Sequence, residues 1–320
     1  MNRFEGTATE GRCSLRDAFA VTLTALAEER ADIALLDGDN ANSSQAEIFA
    51  TAHPDRFLQM GIAEQNMVGV AAGLSTMGYI PFVSAYACFQ VYRAHDQIRV
   101  LVAQTGLPVR LVGGSAGLLF GLAGKTHQTP DDIAVMRSMP GMTVIAPGDE
   151  IETRQVLRWA LDYPGPLYLR LTRGTSTYLF DDTYRFDFPK AVVLREGSDV
   201  ALLSTGVQTT RVLDALPAIE AAGIRPMVVH VPTLKPLDGD AIVEAADLTN
   251  RVVTVEDHSI IGGLGGAVSE VLSERRPTLV HRIGVRDVYA ESATNDELLE
   301  KYGLSARAIA RSVIDWLATS

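Results

Sequence analysis

Gly61-Ile-Ala-Glu64-Gln-Asn-Met67 sets one carboxylate at the head of a run that is otherwise free of charge. A carboxylate there has two readings: a favourable contact with the positive end of a helix, or a desolvated acid that moves a proton. Position alone leaves both open. Ser84-Ala-Tyr86-Ala-Cys-Phe89-Gln-Val-Tyr92 follows, with three aromatic residues at intervals of three. Such rings form core, or a face that stacks on a planar heterocycle with tyrosine hydroxyls as polar handles. A third word, Lys125-Thr126-His127-Gln128, closes a glycine-rich stretch from Gly113 to Thr129. His127 is either a plain surface residue or a proton-transfer group of the kind that loops on a rigid scaffold carry.

Several other chemistries are excluded. His53, His95, His230, His258 and His281 lack metal-ligand spacing and read as structural, and no metal ligand set is expected. Cys13 and Cys88, the only two cysteines, give neither a disulfide framework nor a CxxC pair. Gly262, Gly263, Gly265 and Gly266 do not make a dinucleotide-binding loop, so tight packing is the better reading. Twenty-eight basic against 39 acidic residues give a net charge of −11, which argues against nucleic acid or an anionic membrane surface. The 28 uncharged positions from Gln65 to Tyr92 are broken by Gly73, Gly78 and Pro81, so they read as a buried helix and strand rather than a span. The opening MNRFEGTATEGR has no apolar core and does not read as a signal peptide, and the expected location is cytoplasmic.

The elements that must position these words alternate. At 320 residues the chain is long enough for about two domains. Helix and strand patterns alternate throughout, which predicts an α/β fold of two doubly wound domains with parallel sheets. Ser14 with Asp17 signals a helix start, leading to Arg30. Asp32–Asp37, Phe57–Met60, Tyr79–Val83, Val109–Gly113, Thr143–Ala146 and Leu167–Leu171 read as strands. Ala63–Met77 reads as a helix buried on every side, with small residues that let another backbone approach. Phe89–Gln104 reads as one helix. The patternless stretch Arg173–Pro189 is the expected boundary, giving residues 1–175, a linker at 176–189, and a second βα series over 190–320.

Taken in order, GIAEQNMVGVAAGL, PFVSAY with its following Phe and YRAHDQIR, the glycine loop ending THQ, MTVIAPGD, LYLRLTRG and IGGLGGAVSEVL resemble the C-terminal half of transketolase. The resemblance covers nearly the whole chain. It implies a pyrimidine-binding domain and a C-terminal domain of a thiamine diphosphate enzyme. It also implies a missing N-terminal half, because the Gly-Asp-Gly and Asn segment that holds Mg²⁺ and diphosphate is absent; Gly38-Asp39-Asn40 is a decoy. The expectation is one subunit of a split transketolase, in a heterotetramer with an N-terminal subunit carrying the diphosphate domain and Mg²⁺. The reaction implied is transfer of a two-carbon ketol unit from a ketose to an aldehyde, with the cofactor supplying the chemistry.

By the same resemblance, Glu64 bonds the pyrimidine ring nitrogen and moves its proton, while Tyr86, Phe89 and Tyr92 line the cofactor pocket. His127 meets the ketose hydroxyls, and Arg12, Ser43 and Arg173 hold a terminal phosphate. The chain departs from the family in its glycine loop: Ser115 replaces a histidine, and Gly121-Leu-Ala-Gly-Lys125 replaces an aspartate-bearing word. Lys125 offers a new anion contact. With Leu118, Leu119, Phe120, Leu122 and Ala123 the loop becomes apolar, which implies an unusual, non-phosphorylated or less polar acceptor. The alternatives are the beta subunit of a 2-oxo acid dehydrogenase decarboxylase, a deoxyxylulose-phosphate-synthase-like enzyme, or a non-catalytic interaction subunit.

Overall fold

The computed structural model describes residues 12–319; the opening segment read above for a leader, residues 1–11, lies outside the described residues, as does Ser320. The first strands in chain order are β1 (Arg12–Ser14), β2 (Ile33–Asp37), β3 (Phe57–Gln59), β4 (Ile80–Tyr86), β5 (Arg110–Gly114), β6 (Thr143–Ile145) and β7 (Leu167–Arg170). Next come β8 (Thr175–Thr177), β9 (Val192–Arg195), β10 (Val200–Ser204), β11 (Pro226–His230) and β12 (Thr233–Lys235). The last two are β13 (Arg251–Ser259) and β14 (Leu279–Val285).

Two sheets form, each covered by helices. The first has the order β12-β6-β7-β5-β4-β2-β3, parallel except for β12 at its edge. The second has the order β14-β13-β10-β11-β9, parallel except for β9. β1 and β8 pair as a separate antiparallel ribbon. β2 (IALLD) and β10 (VALLS) are buried at every position, as parallel strands covered on both faces must be. Helix Leu15–Glu29 starts where the serine signal places it, with the Ser14 hydroxyl accepting the Asp17 N–H.

Helix Glu64–Thr76 departs from the expectation of burial all round. Glu64, Met67, Val68, Ala71, Ala72 and Ser75 are buried at three-and-four spacing, and Gln65, Asn66, Gly73 and Thr76 are exposed. Its apolar composition therefore covers only one side, where Ala71 and Ala72 are buried, while Gly69 is half-buried and Gly73 exposed on the other. The expected helix Phe89–Gln104 is broken into Ala87–Arg93, a single turn His95–Gln97 and a π-helical stretch Ile98–Ala103, because Ala94 leaves helical geometry at φ −102°. Composition gives no warning of that break. β12 escapes a pattern reading because it is three residues long and bounded by Pro232 and Pro236.

β12 comes from the second half yet joins the first sheet, and buried polar contacts reinforce the junction. Arg170 at the end of β7 donates to Asp132 at 2.8 Å and to the Asp257 carbonyl at 2.8 Å, while Tyr168 donates to Asp132 at 2.8 Å. On the other side of the junction Glu152 meets His230 Nε2 at 2.8 Å, and Thr209 Oγ1 meets His230 Nδ1 at 2.8 Å. These groups are fully desolvated, so each depends on its partner.

Removing one member of such a pair exposes the other to an apolar interior. Arg170→Ala is expected to lower unfolding stability by about 3–5 kcal/mol in a urea titration; a loss under about 1 kcal/mol would show that the junction does not depend on this pair. A second expectation concerns the thiols. Burial pushes Cys88 up to about 11 and raises Cys13 as well. Iodoacetamide at pH 8 should leave both unmodified in the folded chain and label both in urea, read by mass spectrometry.

Candidate active site

In an open parallel sheet, ligands lie beyond the carboxyl ends of the strands. Here Asp37 ends β2, Gln59 ends β3, Tyr86 ends β4 and Gly114 ends β5, with Arg173 three residues past β7. The functional side chains gather along this edge.

Glu64 opens its helix and is 3% exposed. The turn before it is set by Gly61, whose φ of +68° suits glycine, and by Gln59. The Gln59 carboxamide oxygen accepts the N–H groups of Asp39 and Gly61, both at 3.0 Å. Its amide donates at 3.2 Å to Asp37, which also accepts the Asn40 N–H at 2.8 Å. Burial pushes the Asp37 carboxyl up, against these hydrogen bonds. Asp37 thus ties the two loops that flank Glu64, a role with no sequence signal beyond a carboxylate ending a buried strand.

Arg93 donates to the Glu64 carboxylate at 2.8 Å, and its guanidinium carbon lies 3.9 Å from the Phe89 ring centroid. Four rings converge beside this pair. Phe89 and His127 have centroids 5.1 Å apart, Tyr86 and Phe120 5.4 Å, Phe120 and His127 5.6 Å, and Tyr86 and Phe89 5.8 Å. His127 Nδ1 is 2.9 Å from the Thr126 hydroxyl. So Glu64, Phe89, Tyr86 and His127, drawn from three separate words, come together.

Tyr92 does not join this ring cluster. It is 47% exposed and its hydroxyl donates to Asp131. Tyr86 precedes the helix in extended geometry, so equal sequence spacing does not give one face across the strand-to-helix junction. Lys125 is exposed on the 3-10 turn Gly121–Thr126.

A narrow cavity of about 20 Å³ lies next to the rings, lined by Arg16, Asn40, Ser43, Tyr86, Ser115 and Arg173 among others. Asn40 Oδ1 and Thr172 Oγ1 on its wall are buried and have no hydrogen-bond partner among the described residues. Arg173 lies over Phe120 at 4.2 Å and reaches the Tyr86 hydroxyl at 3.5 Å. Arg16 donates to the Ser43 carbonyl at 3.0 Å. Arg12 is not on the wall: it is exposed in the β1–β8 ribbon and donates to the Thr175 carbonyl at 3.3 Å. The arginine at this end of the cavity is Arg16. Ser14 marks the start of a helix that runs into β2, so its first turn, with Arg16, lies at the carboxyl edge.

The glycine loop also sits differently from expectation. Leu118 and Leu119 are 0% and 2% exposed, inside the core shared with Ala290 and Leu298. Leu118 N–H donates to Asp257 at 3.0 Å and Gly121 N–H to Asn295 at 3.1 Å. Gly117, at φ +76°, has no room for a side chain, since a Cβ would lie 2.2 Å from Asp257. The loop is anchored by the second half, so only Phe120 of its large apolar residues joins the ring cluster, and Leu122 is 77% exposed.

Among the described residues no group of three or more His, Cys, Asp or Glu is arranged to hold a metal ion. Nor is any described helix long and apolar enough to cross a membrane.

The transketolase pyrimidine binding domain family matches residues 12–177, and the transketolase C-terminal domain family matches residues 189–309. The chain is 40% identical over 298 residues to the 6-deoxy-6-sulfo-D-fructose transketolase subunit SqwH of Clostridium sp. (strain MSTE9), covering 93% of this chain and 92% of that protein. It is 35% identical over 303 residues to a subunit of apulose-4-phosphate transketolase from Phocaeicola vulgatus, covering 94% of this chain and 97% of that one. Among solved structures, a split gene transketolase described as an inactive beta4 tetramer superposes with a TM-score of 0.89 at 43% identity, over 96% of this chain and 99% of that one. Transketolase from Campylobacter jejuni shares the fold at a TM-score of 0.80 and 20% identity, with this chain spanning 48% of its length. The chain belongs to the transketolase family and corresponds to a subunit of the split type, carrying the pyrimidine-binding and C-terminal domains.

Proposed function

We propose that this chain is the pyrimidine-side subunit of a thiamine diphosphate-dependent transketolase, completed by a partner subunit that holds the diphosphate and Mg²⁺. The observation that carries the reading is the buried Glu64 at a helix start, joined through Arg93 to Phe89, one of the four clustered rings that include His127. A carboxylate and an aromatic face at one spot fit an aminopyrimidine. Relatives aligned over almost their whole length are themselves split subunits, which supports leaving the metal and the diphosphate to a partner. The complete enzyme is proposed as a heterotetramer in the cytoplasm. The side of helix Glu64–Thr76 that carries the half-buried Gly69 and the exposed Gly73 is proposed as a contact between protomers.

Thiamine diphosphate, when bound, supplies the carbon nucleophile that carries the two-carbon unit. Glu64 holds and returns the proton at the pyrimidine ring nitrogen, from a position shielded from water. Tyr86 and Phe89 orient the ring, and His127 at the mouth of the cluster bonds substrate hydroxyls. Arg16 and Arg173, with Ser43 and Ser115, bind the anionic end of the ketose in the adjacent cavity. The names of the two split relatives include a sulfonate sugar and a phosphate sugar, and both terminal groups suit paired arginines. Phe120 and Leu122 narrow the acceptor side and Lys125 stands at its rim, so the acceptor is proposed as less polar than an aldose phosphate.

In the two-subunit enzyme, Glu64→Gln is expected to reduce turnover by about 10²–10⁴-fold with an unchanged circular dichroism spectrum. Residual turnover above about one-tenth of the parent rate would refute the role of Glu64. Arg16→Ala and Arg173→Ala should each raise KM for a phosphate- or sulfonate-bearing ketose by about tenfold or more. Arg12→Ala should leave it within about twofold, since that side chain lies in the exposed ribbon. Equal effects from Arg12 and Arg16 would return the anion site to the ribbon.

A further inference from the structure

We infer that Arg93 is an internal competitor for the aminopyrimidine: its guanidinium occupies the slot between Glu64 and Phe89, and ligand binding requires it to swing out. This rests on the reading of Glu64 and Phe89 given above. The guanidinium donates to Glu64 Oε1 at 2.8 Å and lies 3.9 Å from the Phe89 ring centroid. A planar group that stacks on an aromatic ring and donates an N–H to this carboxylate matches what an aminopyrimidine would do. Two planar groups cannot share one ring face and one carboxylate oxygen, so the two states exclude each other.

The local structure allows the exchange. Arg93 is the last residue of the short helix Ala87–Arg93, and Ala94 already departs from helical geometry. Its side chain is 44% exposed while Glu64 is 3% exposed. Rotation of Arg93 into water therefore strands no buried cation, whereas Glu64 needs a partner in either state. Arg93 supplies that partner until a ligand does, so the isolated subunit tolerates a buried carboxylate. The cost falls on affinity, which is reduced by the fraction of molecules in which the slot is filled.

The test uses the full chain and the probe 4-amino-5-hydroxymethyl-2-methylpyrimidine, with dissociation constants from calorimetry. Arg93→Ala is expected to bind the probe about tenfold more tightly than the parent, and Glu64→Gln more weakly. Millimolar methylguanidinium should return Arg93→Ala toward the parent affinity by refilling the slot, an effect that a merely structural role would not produce. Should Arg93→Ala fail to fold, Arg93→Lys keeps the ion pair but not the planar stack, and tighter binding by it supports the inference. Equal or weaker binding by the folded variant, with Glu64→Gln still impaired, would overturn competition while leaving the site intact. An unchanged affinity in Glu64→Gln would instead remove the site itself, and the inference with it.

Discussion

A carboxylate held in the interior at the start of a helix is the constraint around which the rest of this site is arranged. Desolvating Glu64 is unfavourable unless something donates to it. In the structure that donor is Arg93, braced against Phe89. The turn that aims Glu64 is held by Gly61 and by the Gln59 carboxamide, which bridges to Asp37 beneath. A small shift in any of these would move the carboxylate relative to the ring face, which is the geometry on which proton transfer to a heterocycle depends.

The site is also a product of both halves. Its carboxylate, rings and arginines come from the carboxyl edge of the first sheet, but the glycine loop that carries Phe120 and His127 is pinned from the second half through Asp257 and Asn295. β12 and the buried contacts of Arg170 with the Asp257 carbonyl and of Glu152 with His230 hold the halves together. The C-terminal domain therefore shapes the active edge by fixing a loop of its neighbour, even though its own side chains are absent from the ring cluster.

Much of this is legible in residue order. The alternation of helix and strand announces two parallel-sheet units, and Ser14 marks a helix start that the structure retains. The Glu64, Phe89 and His127 words are each ambiguous alone, and their order along the chain is what connects them to transketolase. Other features leave no usable trace. Tyr92 reads like Phe89's companion, yet the strand-to-helix junction turns it toward Asp131. Leu118 and Leu119 read like substrate-facing groups, yet they complete a core with the second half. Arg16 and Arg12 lie one turn of chain apart, yet only Arg16 lines the cavity, while Arg12 bonds the Thr175 carbonyl.

The sequence by itself determined the family and the alternating architecture and singled out Glu64, because these depend on local pattern and on the order of short words. The tertiary structure alone decided which arginine meets the acid, which one lines the cavity, and which apolar residues face inward. Those outcomes depend on distances between segments remote in the chain, such as the ends of different strands and the loop pinned by Asp257, and no local periodicity encodes them.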